Sequence, residues 1–245
     1  MNAGDTTANP KTPNPNHPIS VLKQHVGAMA ELAVGMVQDG TRALLTNDKA
    51  LADSVVTRDA PLDRFDVAIE TESMRLIARL QPEAEDLRTI GAVLKIANCV
   101  DRVGRLGFDL AKNLTPAPES SDPTPADLLR RMEEKGRAMV HQAVQAFLAD
   151  DVARAKDVFA LDDDVDDLYD ALEQRIFALL NKGGPSTERL GHYLLAARHL
   201  ERVGDNACKI AEKAVYAITG ERRPEYFPAL AHRATTGVRA AGHSR

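Results

Sequence analysis

From Val158 to Leu179 the apolar residues fall at Val158, Leu161, Val165, Leu168, Leu172, Ile176 and Leu179. The steps are three and four residues, the period of one face of an α-helix. Inside this run lies "LDDDVDDLYDALE" (161–173), which holds seven acids and no base. Asp is a weak helix former, and like charges one turn apart cost about 0.2–0.5 kcal/mol per pair. A helix that survives such a sequence does so by packing its seam. The seam therefore predicts a long amphipathic helix held in a bundle or coiled coil.

A matching seam runs through Leu51, Val55, Leu62, Phe65, Ile69, Leu76 and Leu80. Break signals fall near Thr46-Asn47-Asp48, at Gln81-Pro82, across Thr115 to Pro125, near Asp150-Asp151 and at Gly183-Gly184-Pro185. Ser186 and Asp127 are candidate N-caps for the helices that follow. Pro61 sits inside the second helix, where it either kinks the helix or opens a new one with Asp59 as N-cap. The result is an all-α chain of six predicted helices in two tandem sets of three. We assign 19–115 to the first three-helix repeat, 116–125 to a Pro- and Ser-rich linker and 126–220 to the second repeat. Residues 1–18, rich in Asn, Thr and Pro, read as disordered. The tail 221–245 carries five Arg against two Glu and no apolar period, and reads as a loose basic segment.

Composition agrees. The apolar fraction is 44%, aromatics are 4% and Trp is absent, a balance that favours helices over sandwiches and barrels. A net charge of −5 argues against bulk nucleic-acid binding, which needs a basic footprint. No apolar run approaches the ~20 residues of a membrane span, and the N-terminus has no signal-peptide core. Cys99 and Cys208 occupy unmatched positions in the repeat and read as reduced, buried thiols. The expected compartment is the cytoplasm.

The chemistry-bearing residues lie in the repeat. "CVDRVGRLGFDLAK" (99–112) returns as "HLERVGDNACKIAE" (199–212), so Asp101 and Glu201 stand 100 residues apart, each followed by Arg-Val-Gly. One turn further on, the second copy has Asp205 where the first has Arg105. Aligning the seams on Leu62 and Val165 pairs Asp59 with Asp162 and Asp63 with Asp166. Carboxylates one turn apart on a helix are about 5–6 Å from each other at Cβ. Two such helices side by side gather four carboxylates, a set suited to a hard or borderline cation. On a helical wheel Asp162, Asp166 and Glu173 share one shoulder of the seam, while Asp163, Asp167 and Asp170 turn toward solvent. A solvated acidic face explains a single acid run, but not its return at matching positions. Gly104 and Gly204 lie mid-helix beside these acids, at a cost of about 1 kcal/mol each relative to Ala. We expect close approach of a neighbouring helix to compensate. Arg105 either bridges Asp59, Asp63 or Asp101 without metal or faces solvent. If metal is bound, the second repeat is expected to hold more of it.

Other chemistries find no support. No His follows Glu or Asp at +3, as di-iron carboxylate bundles require. No phosphate-binding loop, zinc-protease motif or nucleophile elbow is present. His141 and His192, either of which could be imagined as a phosphorelay histidine, read instead as satisfied or exposed helix histidines, and no nucleophile, base and orienting group stand together. The chain is expected not to be an enzyme. Two alternatives stay in view: a metal-dependent enzyme using the carboxylate clusters, and a metal-free helical adaptor.

The combination of "QPEAEDLRTIGAVLKI" (81–96), "DRVGR", "DDDVDDLYDALE" and "HLERVGDNACKIAE" resembles the PhoU family of phosphate-transport accessory regulators. The resemblance covers about 19–220. It implies two three-helix bundles related by pseudo-twofold symmetry, in a cytoplasmic and often dimeric protein. It implies repression of phosphate uptake and of the phosphate-starvation response. The implied partners are the ATPase of the phosphate ABC transporter and a sensor histidine kinase, with contact to the membrane only through them. It further implies iron or another divalent metal, held in the second repeat by Asp162, Asp166, Glu201 and Asp205. In the first repeat the corresponding residues are Asp59, Asp63 and Asp101, and Arg105 replaces the last acid of the pattern.

Overall fold

The computed structural model describes residues 17–115, 121–183 and 186–221. The expected disorder before residue 17, the first half of the linker (116–120) and the basic tail beyond residue 221 fall outside the described residues. Within them there are seven helices and no strand: α1 (Pro18–Thr46), α2 (Lys49–Val56), α3 (Asp59–Leu80), α4 (Ala84–Lys112), α5 (Thr124–Leu148), α6 (Val152–Leu180) and α7 (Thr187–Thr219). None is long and apolar enough to cross a membrane.

The seventh helix comes from a break in the predicted second one. Pro61 has no N–H to return to the Thr57 carbonyl, and its ring crowds that carbonyl. The chain therefore stops at Val56 and restarts at Asp59. Arg58, not Asp59, holds the N-cap position, and Asp59 is the first helical residue. The matching stretch of the second repeat has Asp164 where the first has Pro61, and α6 runs through unbroken. Asp127 also differs from expectation. It lies inside the first turn of α5, paired with Arg130, while the Asp122 carboxylate accepts the Thr124 N–H at 2.9 Å. Ser186 takes the N-cap position of α7 without a side-chain hydrogen bond.

Elsewhere the duplication is visible down to single atoms. Asn47 and Asp150 each close a helix in the left-handed region, at φ 52° and 54°, a conformation Asn and Asp tolerate. The residue after each, Asp48 or Asp151, accepts a hydrogen bond from the N–H three residues on, Leu51 or Arg154, at 3.0 Å.

α1, α3 and α4 pack together as one bundle, and α5, α6 and α7 as the other. The two join through α1 against α5 and α4 against α7. They also hold one another's C-terminal ends. Arg88 at the start of α4 donates to the Ala217 carbonyl at the end of α7 (3.0 Å), and Arg189 at the start of α7 donates to the Thr115 carbonyl beyond α4 (3.4 Å). Lys23 on α1 reaches across to Asp150 at 2.7 Å, with its ammonium 4.9 Å from the centre of the Phe147 ring. The core is aliphatic, with Leu22, Met29, Met36, Leu62, Ile69, Ile96, Leu110, Leu129 and Met132 almost fully buried around it.

α1 and α4 cross backbone to backbone. A Cβ on Gly40 would lie 2.4 Å from the Gly107 carbonyl oxygen, and one on Gly107 would lie 2.5 Å from the Met36 and Val37 backbone. Neither helix yields a few tenths of an ångström there without moving as a whole. Gly91, further up α4, has nothing within 4 Å of such a Cβ. We expect Gly107→Ala to destabilise the protein by about 2 kcal/mol or more, because overpacking outweighs the gain in helix propensity. Gly91→Ala, gaining propensity alone, should stabilise it by about 0.5–1 kcal/mol. Urea denaturation of the two variants beside the parent chain tests both signs.

Candidate functional site

Each acidic cluster spans two neighbouring helices, α3 with α4 and α6 with α7. In the first, Asp59 and Asp63 stand one turn apart at the start of α3, and Asp101 and Arg105 one turn apart on α4. The Arg105 guanidinium meets all three carboxylates: Nη1 donates to Asp59 Oδ1 at 3.1 Å, Nη2 to Asp63 Oδ1 at 2.5 Å and Nε to Asp101 Oδ2 at 3.3 Å. Of the two readings open for Arg105, the structure shows the bridge. Burial lifts the Asp101 carboxyl above its ordinary range, with Arg105 pulling the other way. Asp66, which the sequence reading left out, belongs to the same patch. Its carboxyl is also raised, first by burial and then by the charges of Glu70 and Asp63. Its place one turn beyond Asp63 was the available signal.

The second cluster is built differently. Asp162 is 4% exposed and faces α7. A Cβ on Gly204 would stand 3.1 Å from Asp162 Oδ1, so the bare glycine makes the cradle in which that carboxylate sits. Gly104, its counterpart, receives Leu62 instead, whose Cδ2 lies 2.4 Å from the would-be Cβ. Both glycines thus admit a side chain from the adjacent acidic helix, as their mid-helix cost suggested. One turn beyond Gly204 the Cys208 thiol is pushed far up, first by burial, then by the Asp162 carboxylate that accepts its hydrogen bond, and by Asp166. Asp166 and Asp205 are half-buried, and the Glu201 carboxylate is engaged by Arg198 on its own helix. Glu173 is half-buried while Asp163, Asp167 and Asp170 are exposed, as the helical wheel predicts. Arg198 and Cys208 are the residues here that the sequence reading missed. Arg198 lay one turn before Glu201, a visible spacing, but nothing marked Cys208. Cys99 and Cys208 are both buried and unbonded to each other.

The two clusters answer the question of metal differently. In the first, a guanidinium already contacts one oxygen of each carboxylate, so the residues do not fit a metal ion as they stand. In the second, the donor types suit a hard or borderline cation, and bare Gly204 leaves room for the Asp162 carboxylate, but Arg198 already engages Glu201. Asp162, Asp166, Glu201 and Asp205 would be its ligands. In this conformation no three His, Cys, Asp or Glu side chains among the described residues converge as a metal-binding group.

Comparison with known proteins gives one answer over both repeats. The PhoU domain model matches residues 26–114 and again 129–214. A phosphate-specific transport system accessory protein PhoU homologue from Caulobacter vibrioides is 34% identical over 213 residues, 85% of this chain and 91% of that one. The homologue of the same name from Aquifex aeolicus is 34% identical over 199 residues, 81% and 90% of the two chains. The crystal structure of PhoU from Pseudomonas aeruginosa superposes with a TM-score of 0.76 at 27% identity, covering 85% of this chain and all of that one. A PhoU structure from Streptococcus pneumoniae, 24% identical, shares the fold with a TM-score of 0.75 over 84% and 97%. With a domain match in each half and a relative this similar along nearly its whole length, the chain belongs to the PhoU family.

Proposed function

We propose that this protein is a non-enzymatic accessory regulator of phosphate-specific transport. It acts in the cytoplasm, as a homodimer, to hold down phosphate uptake and the phosphate-starvation response when phosphate is plentiful. It does so by bridging the transporter ATPase and the cytoplasmic region of a sensor histidine kinase. The observation that carries the reading is the similarity to phosphate-transport accessory proteins across both repeats.

The surface supports an adaptor. The helices that flank the bundle leave large apolar side chains in water: Val67 (61% exposed) and Met74 (49%) on α3, and Phe177 (49%) on α6. Met74 and Phe177 occupy matching positions of the repeat, 103 residues apart, the same interval that separates Asp48 from Asp151. Exposed apolar side chains rimmed by charge mark surfaces that meet other proteins. We assign partner contact to these two faces. The second cluster, with its oxygen donors, takes a divalent cation such as iron and ties α6 to α7.

Three experiments test this. Affinity capture from cells grown in high phosphate should bring down the transporter ATPase and the kinase, and Met74→Glu with Phe177→Glu should reduce both by about tenfold without unfolding the chain. A deletion strain with normal phosphate uptake and full repression in high phosphate would sink the regulatory reading. Separately, protein purified without chelator should carry iron or manganese by elemental analysis. Asp162→Asn with Glu201→Gln and Asp205→Asn should remove most of it, and metal content untouched by this triple change would leave a metal-free adaptor.

A further inference from the structure

We infer that the first acidic cluster carries its own cation: Arg105 permanently fills the place a metal would take, so only the second repeat responds to metal. The inference rests on the proposed reading only in treating the second cluster as the metal-taking one.

The case begins with the oxygens. Asp59, Asp63 and Asp101 each give one carboxylate oxygen to a different nitrogen of the same guanidinium. A divalent ion would need those oxygens at about 2.0–2.6 Å, beside a group that stays charged at every working pH. Both the ligands and the field oppose it. In the second repeat the same helical position is Asp205, so the exchange turns a donor of negative charge into a fixed positive one.

α3 needs that cation. Because Pro61 breaks the helix, α3 begins at Asp59 with no side-chain cap. Its inner face buries only Leu62, Ile69, Ser73 and Leu76, and the Ser73 hydroxyl finds no hydrogen-bond partner there. α6, unbroken, buries eight side chains. The charged fork of Arg105 therefore pins the first turns of α3 to α4 where apolar packing is thin. Lys would not substitute: a single ammonium lacks the planar fork that reaches three carboxylates at once. The face carrying Val67 and Met74 is then presented whether or not metal is available, whereas the face carrying Phe177 follows the occupancy of the second cluster.

The test uses the full chain with the second cluster silenced by Glu201→Gln and Asp205→Asn. Melting is followed with and without millimolar Mn²⁺, and Mn²⁺ binding is measured by calorimetry. In this background we expect no Mn²⁺ bound near Asp59 and Asp63 and no shift in Tm. Adding Arg105→Ala should lower Tm by about 3–6 °C. Mn²⁺ should then restore it, with one ion bound per chain, and Asp59→Asn with Asp63→Asn should abolish the rescue. Arg105→Lys should show a smaller loss and weaker rescue. An unchanged Tm in Arg105→Ala, or a fall that Mn²⁺ does not repair, overturns the inference. If the Ala variant fails to fold, the parent chain still decides: Mn²⁺ stoichiometry that drops on Asp59→Asn with Asp63→Asn means Arg105 swings clear and the inference is wrong. A natural chain that binds no Mn²⁺ anywhere refutes metal at the second cluster, yet leaves the Arg105 loss and rescue readable.

Discussion

The rest of the fold hangs on the crossing of α1 and α4, where Gly40 and Gly107 let two backbones touch. With no side chain between them, the helices set a fixed distance and angle from which everything else is measured. α3 lies across this pair, and the first acidic cluster forms where α3 meets α4. In the second repeat the corresponding positions are Ala143 and Ala207, both fully buried. Each carries a methyl group where the first repeat has a bare glycine. Small residues at the matched crossings leave room for the long Leu and Met side chains to interdigitate around them.

From that frame the two repeats diverge in one consistent direction. Pro61 shortens the first acidic helix, and Arg105 stitches the remainder down with charge. The second acidic helix stays whole and holds itself by an apolar seam, leaving Asp162 buried beside a thiol. A carboxylate at that depth is costly unless hydrogen bonds or a cation offset its lost hydration. Cys208 supplies one such hydrogen bond. The first cluster resolves the same problem with a strong permanent donor set at a more exposed site. One architecture thus houses two electrostatic arrangements, a guanidinium shared by three carboxylates in the first repeat and a buried carboxylate beside a thiol in the second.

Most of this was legible in the sequence, because helical periodicity and repetition are both local signals. The seam through Val158 and Leu179, and the breaks at Asn47 and Asp150, follow from spacing and from the left-handed tolerance of Asn and Asp. Gly104 and Gly204 announced a close approach through their mid-helix cost. What they approach was not legible, since Leu62 and Asp162 enter equivalent cradles from helices that do not share one register. Asp127 looked like a cap because Asp is a favoured N-cap residue after a break, yet the helix starts earlier, after Pro123, and Asp122 supplies the acceptor. Cys208 joined the second cluster unannounced, because a Cys on a buried helix face looks the same whether its neighbour is a methyl or a carboxylate. The split at Thr57 was half legible: Pro61 named the place, and only the fold decided between a kink and a break.

The exchanged arginine contacts bear on how separable the halves are. Arg88 caps the last turn of α7 and Arg189 holds the chain just beyond α4, so each repeat's C-terminal end is held by a residue of the other. A half expressed alone would lose the contact that holds its C-terminal end and leave its own arginine without this acceptor. What reads in the sequence as two copies of one unit is, in the folded chain, a single object that has lost the option of coming apart.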